Sequence, residues 1–209
     1  MTGAGESTDL ITRAAAGDVD ARNTLFAQHT ERLQRMVRLR LSRRLQGRVD
    51  EGDVVQEALL EAARKLNEYL QRPDAPFYLW LRHLTGLKLA ELHRHHLGTQ
   101  MRDADREVSI YRGALPEADS MSLAAHLLGT ITSPSQVAVR AERQIRLQEA
   151  VNSLDPIDRE ILALRHFEQL SNQETAEVLG MSPSGATARH MRALKRLKTI
   201  LESVPGFFE

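Results

Sequence analysis

Two stretches of this sequence carry chemistry that a purely structural helix would not need. In the first, Asp53, Gln56, Glu57, Leu60 and Glu61 follow at steps of three and one, so a helix places them on one side, as three acids with a glutamine and a single apolar residue among them. Such a row suits a solvated surface; it also suits docking against a basic protein surface, with Leu60 as the apolar anchor. In the second, residues 178–201 hold five Lys or Arg and no acid, the charge pattern of a helix that meets phosphate. Between them His93, His95 and His96 raise the question of a metal. Histidine clusters bind zinc and nickel, but the chain has no cysteine, and we expect neither a metal nor a cofactor. There is no phosphate-binding loop, no nucleophile elbow and no metal-ligand set, so an enzyme is not expected.

The composition narrows the scaffold. In 209 residues, 42% are hydrophobic and 27% charged, with five Phe, three Tyr and one Trp. That balance belongs to helical domains whose cores are filled by Leu, Val and Ala. The lack of cysteine excludes disulfides, thiolate zinc sites and cysteine redox switches. Residues 1–9 show no basic stretch followed by an apolar run, and no segment approaches the roughly 18 apolar residues of a membrane span. A cytoplasmic protein without membrane insertion is expected. Formal net charge is zero, which for a whole chain argues against a nucleic-acid binder. The charge is segregated, however: residues 32–48 carry seven arginines and no acid, while Asp50, Glu51, Asp53, Glu57 and Glu61 follow directly. Opposite patches on a neutral chain imply more than one partner, one of them anionic.

The elements that must position these residues follow from periodicity and punctuation. Asp18 and Asp20 offer caps for a long helix bearing Leu25, Phe26, Leu33, Met36, Val37 and Leu41. Asp53 begins a second helix, with Gln56 for a capping pair and an apolar stripe through Val55, Ala58, Leu59, Ala62 and Leu66. Pro76 suits the first turn of a third, running through Trp80, Leu81, Leu84, Leu87 and Leu92. Periodicity weakens between 99 and 135, where a linker is expected with a short helix near residues 121–128. Asp155-Pro156 with Asp158 starts a further helix. Ser171 with Glu174 forms a capping box, Gly180 suits a left-handed stop, and Ser182-Pro183 opens a last helix to about Leu201. Two helices joined by a tight glycine-containing turn, the second basic, make a helix-turn-helix. The expected fold is all-α: two small helical domains joined by a flexible linker, the second a helix-turn-helix.

Residues 154–197, LDPIDREILALRHFEQLSNQETAEVLGMSPSGATARHMRALKRL, resemble the carboxy-terminal domain of bacterial sigma factors, which binds the minus thirty-five promoter element. Residues 53–92, with DVVQEALLEAARKL and then FYLWLRHLTGLKLAEL, resemble the domain that grips the polymerase clamp and opens the minus ten element. Both occur in the family's order, and the chain's length matches the extracytoplasmic-function (ECF) group. The resemblance implies a sigma factor that binds core RNA polymerase and directs promoter-specific initiation. It implies a region 2 domain at 8–105, a linker at 106–136 and a region 4 domain at 137–205. It also brings the expectation of an anti-sigma partner, though no residue here identifies one.

The resemblance assigns Asp53, Gln56, Glu57, Leu60 and Glu61 to the polymerase. It assigns a minus ten loop at 94–105, with Arg94, His95, His96, Gln100 and Arg102 as contacts to promoter DNA. On the last helix, spacing turns Ala186, His190, Ala193 and Leu197 inward and Ser184, Thr187, Ala188, Met191, Arg192 and Lys195 outward. Ser184, Thr187, Ala188 and Arg192 are then candidates to line the major groove, and Lys195, Arg196 and Lys198 to meet phosphates. Family members often carry a basic residue where Thr187 stands and Ser where Ala188 stands. Trp80, Phe77 and Tyr78 are expected in the core, and His190 is expected to be structural. The arginines of 32–48 suit a solvated face, a contact to upstream DNA or a polymerase contact. The alternatives are a helix-turn-helix regulator that binds operators without entering polymerase, and a helical adaptor for proteins only. The first would need a ligand or receiver domain, for which no alternating strand pattern is present; the acid-free basic helix disfavours the second.

Overall fold

Every regular element is helical among the residues that the computed structural model describes, which are 3–42, 45, 47–97, 116–131 and 137–203. The chain divides into two compact units, Met1–Ala104 and Asp105–Glu209.

The first unit holds α1 (Gly3–Ala15), α2 (Val19–Arg40), α3 (Glu51–Gln71) and α4 (Phe77–Leu97). Asp18 caps α2 by accepting the Ala21 amide at 2.9 Å, and its second oxygen takes the Arg13 guanidinium at 2.7 Å, which fastens α1 to the start of α2. Helix α3 begins at Glu51 rather than at Asp53, because Asp50 is the cap and accepts the Gly52 amide at 2.6 Å. The earlier start leaves Asp53 inside the first turn, where a carboxylate is favoured by the helix dipole. An ion pair between Arg38 and Glu51 joins the end of α2 to the start of α3. The expected stripe of Val55, Ala58, Leu59, Ala62 and Leu66 is buried, as are Leu25, Leu33, Met36 and Val37 of α2 and Leu81 and Leu89 of α4, both of which pack on α3. Each such Leu or Val contributes about 1.5–3 kcal/mol relative to exposure.

The α3–α4 turn is closed by aromatics. Tyr69 stacks on Trp80 with centroids 4.6 Å apart, and its hydroxyl donates to the Ala75 carbonyl at 2.8 Å. Phe77 and Tyr78 are buried as expected, whereas Trp80 is half-buried. The Arg32 guanidinium lies 3.6 Å from the centroid of the Tyr78 ring, a cation–π contact that gives one member of the 32–48 arginine run an internal partner.

The second unit contains α5 (Ser120–Ile131), α6 (Val137–Asn152), α7 (Pro156–Leu162) widening into a π-helical turn at Ala163–Phe167, α8 (Asn172–Leu179) and α9 (Pro183–Glu202). Helix α5, expected as a short element within a linker, packs against α6 and the π turn, with Leu123, Ala124 and Leu127 buried. Helices α8 and α9 form the helix-turn-helix. The capping box is complete: Ser171 Oγ accepts the Glu174 amide at 3.1 Å, and Glu174 accepts the Ser171 amide at 2.7 Å. Gly180 ends α8 with φ 63°, a conformation that costs glycine nothing and other residues a backbone penalty. Ser182 caps α9 on the Gly185 amide at 3.1 Å, and Asn172 reaches across the turn to the Pro183 carbonyl at 2.8 Å.

Asp155 stands at the N-cap of α7 as expected, but its side chain makes no cap hydrogen bond. A cationic donor claims it instead: Arg196 of α9 donates to Asp155 at 2.7 Å and to Asp158 at 2.8 Å. Charge-assisted bonds of this kind are roughly twice as strong as neutral ones. Asp158, only 2% exposed, also accepts from Arg189 Nε at 2.6 Å. Two carboxylates of α7 thus clamp two guanidiniums of α9. Arg189→Ala is expected to lower the unfolding free energy by roughly 1–3 kcal/mol, the cost of under-satisfying a buried acceptor. Lys195→Ala, at an exposed position, should change it by less than about 0.5 kcal/mol. Urea titrations of the two variants check this; equal effects would remove the clamp's structural role.

Candidate nucleic-acid and polymerase interfaces

Helix α9 presents the surface that the helix-turn-helix leads to. Ala186, Ala193, Leu197 and Leu201 are buried, and Ser184, Thr187, Ala188, Met191, Arg192, Lys195 and Lys198 are exposed. Arg192 and Lys195 have no ion-pair partner among the described residues, and both border a cleft of about 560 Å3 that Leu154 and Thr199 also line. Of the residues expected to meet phosphate, Lys195 projects freely and Lys198 pairs with Glu202 at 3.5 Å on its own helix. Arg196 is held by Asp155 and Asp158, and the hydrogen bond it donates to Asp155, reinforced by both carboxylate charges, raises its pKa further. Sequence reasoning left Arg189 without a role; it is a positioning residue for α9. The clue was available in Asp158, an acid that an amphipathic reading of α7 places among buried positions.

On α3 the structure brings Asp53, Gln56, Glu57 and Leu60 to the exposed surface, with Leu60 60% exposed. Beside them runs a groove of about 500 Å3 between α2 and α3, lined by Phe26, Thr30, Gln56, Leu59, Leu60 and Ala63. Glu61 is half-buried and engaged within the helix, 3.0 Å from Lys65 and 3.4 Å from Arg64. The Lys65 hydrogen bond holds its carboxyl below the usual range. The outward face is therefore less acidic than the sequence suggests, and its distinguishing feature is an uncovered leucine at the edge of a groove of mixed lining, which Arg22, Asn23 and Arg64 also border.

At the end of α4, His93 is buried and its Nε2 accepts the Ser42 amide at 3.3 Å. Burial lowers its pKa, as expected for a neutral acceptor. Arg94 and His95 are exposed. His96 lies within α4, its side chain outside the described residues, as are Gln100 and Arg102. Among the described residues no group of three or more His, Cys, Asp or Glu side chains could hold a metal, and no helix is long and apolar enough to cross a membrane.

Comparison with known proteins bears on both surfaces. Residues 144–197 match the family model described as Sigma-70, region 4, which spans the clamp and the helix-turn-helix. The ECF RNA polymerase sigma factor SigD of Mycobacterium tuberculosis is 30% identical over 199 residues, covering 95% of this chain and 85% of SigD. The chain belongs to the ECF sigma factors. The RNA polymerase sigma factor CnrH of Cupriavidus metallidurans is 28% identical over 197 residues, covering 93% of each chain. The solved structure of CnrH in complex with the cytosolic domain of CnrY superposes with a TM-score of 0.55 at 24% identity, covering 95% of this chain and 98% of that one, a likeness of fold. As a member of this family the protein directs RNA polymerase in promoter-specific initiation of transcription, and the reading as an independent operator-binding regulator is not favoured.

Within this sigma factor the inward side of α9 carries a hydrogen-bonded histidine pair. His190 of α9 is half-buried, and its Nε2 lies 2.9 Å from Nε2 of His166 in the π turn. One ring must donate and the other accept, so the pair holds a single bridging proton. His126 of α5 donates to the His166 carbonyl at 2.9 Å. Burial lowers the pKa of His166, aided by Arg165 and His126; burial lowers that of His190, aided by His166 and Arg165. Both lie below the ordinary value of about 6.5, so under that pH the unfolded chain binds more protons than the folded one. The pair's contribution to stability is therefore complete above about pH 6.5 and is lost as pH falls through the folded values. Hydrogen exchange of the α9 amides, corrected for intrinsic rate, should show protection falling between pH 7.5 and 5.5. His190→Gln should fall less; an equal fall in both proteins would count against the pair.

Proposed function

We propose that this sigma factor docks on core RNA polymerase through the outer face of α3 and reads the minus thirty-five element with α9, acting by binding alone. In this reading residues 8–105 form the polymerase-binding and minus ten domain and 137–205 the minus thirty-five domain. The observation that carries it is the free cationic edge of α9, Arg192 and Lys195, next to the side of the helix that Arg189 and Arg196 clamp to α7. In a helix-turn-helix the second helix enters the major groove with its first turns toward base edges, while flanking cations meet phosphate. Ser184, Thr187, Ala188 and Arg192 line the groove, and Lys195 and Lys198 supply backbone contacts. Arg196 contributes by holding α9 in place. Residues 94–105 supply the minus ten contacts, with Arg94 and His95 at their exposed start. An anti-sigma protein would act by covering the α3 groove or α9. Run-off transcription with purified core polymerase tests the whole: specific initiation must depend on the added chain.

Two mutational tests separate the surfaces. Leu60→Asp combined with Glu57→Lys should weaken competition for core polymerase at least tenfold, with a stability change under about 0.5 kcal/mol because both sites are exposed. Competition as strong as that of the unaltered chain would refute the α3 assignment. On holoenzyme, Arg192→Ala should cost roughly 1–3 kcal/mol on the preferred duplex and less on others, as loss of a bidentate contact to guanine does. Lys195→Ala should weaken all duplexes alike and reduce the salt slope by about one unit. A uniform loss for Arg192→Ala would make it a phosphate contact.

A further inference from the structure

The outer face of α9 is unusually poor in free hydrogen-bonding groups for a surface that selects sequence. Thr187 donates its hydroxyl to the Pro183 carbonyl one turn back, at 3.1 Å. Ser184 Oγ lies 3.2 Å from Ser182 Oγ, which already accepts the Gly185 amide. Ala188 offers only a methyl group. Next along the same face stands Met191, 60% exposed, one of the few large apolar side chains that the described residues leave in solvent. Positions 187, 188 and 191 are three and four residues apart and share one face. A long side chain on a helix leans back toward the amino terminus, which carries Met191 over the methyl-bearing turn. Arg192, Lys195 and Lys198 lie exposed alongside and beyond it, so the apolar strip is bordered by cations. An anionic polymer that presents apolar groups in its groove complements such a surface, and in duplex DNA that group is the C5-methyl of thymine.

Resting on the α9 assignment above, we propose that Met191, with Ala188 and the methyl of Thr187, is a specificity-determining residue that recognises a thymine methyl in the minus thirty-five element. Selection at that base pair is by apolar contact, and hydrogen-bond readout on this helix falls to Arg192. Being a flexible thioether, Met191 also adapts to the groove without a fixed donor or acceptor geometry.

The test uses holoenzyme assembled from the full chain and core polymerase. Minus thirty-five duplexes are selected from a randomised library, and each thymine in the selected element is replaced singly by deoxyuridine, which removes only the methyl. At one or two positions the replacement should weaken binding about fourfold, the worth of one buried methyl-sized group. The loss should persist with Met191→Leu and vanish with Met191→Ala, whose exposed position spares the fold. A selected element without thymine, insensitivity to every deoxyuridine, or an unchanged methyl effect in Met191→Ala would each overturn the proposal. So would Met191→Ala acting on core polymerase binding instead of on duplex preference. Failure of the α9 assignment reads differently: Arg192→Ala and Lys195→Ala would then leave duplex binding by the holoenzyme untouched.

Discussion

The second unit depends on one buried carboxylate. Asp158 is almost wholly withdrawn from water, and an isolated charge in that position would cost several kcal/mol. Two guanidiniums from the facing helix, with Asp155 beside them, make the arrangement tolerable. Because Arg189 and Arg196 are seven residues apart, about two turns, they fix both the rotation of α9 about its axis and its slide along α7. That rotation decides which side chains remain outside. With Arg189 and Arg196 turned toward α7, Arg192, Lys195 and Met191 are left on the free face.

The first unit solves the same problem with apolar burial and caps. Asp50, Asp18 and the Arg38–Glu51 pair fix where helices begin and how their ends meet. The continuous stripe on α3 then determines its rotation. What remains outside that stripe is the face bearing Gln56, Glu57 and Leu60. Leaving a leucine uncovered offers no gain to the isolated chain, since its transfer from water is not completed until a partner covers it.

Sequence signals with a local cause were legible. Ser171 with Glu174, Gly180 and Ser182-Pro183 marked the helix-turn-helix because capping chemistry acts over three or four residues. The apolar stripe of α3 and the inward set of α9 followed from period. The start of α3 was displaced because two acids three residues apart, Asp50 and Asp53, both suit a cap, and the Arg38 contact across thirteen positions favoured the earlier one. The internal use of Arg189 and Arg196 was not legible, because a cation on a helix looks the same whether phosphate or a carboxylate distant in sequence awaits it. The π turn had no signal of its own: it arises where Arg165 reaches the Leu170 carbonyl and the chain turns through Gln169 at φ 57°. Helix α5 was visible, but its packing on α6 was hidden by the glycine and proline residues around it.

If α9 meets DNA as proposed, the clamp also limits how tightly this helix would hold it alone. Five cations occur in residues 178–201, but two are neutralised internally and Lys198 is shared with Glu202. Each phosphate contact contributes about 0.9 to the salt slope, so such a helix displaces only two or three counterions. Non-specific attachment is correspondingly feeble, and a lone domain would leave a mismatched duplex quickly. On the proposed assignment, promoter occupancy would then draw on avidity: a second tethered contact turns the next binding step into an intramolecular one, with an effective concentration up to about the millimolar range. A chain that held each promoter element loosely would let go unless both were present, a route by which a neutral protein could be selective without a strongly basic surface.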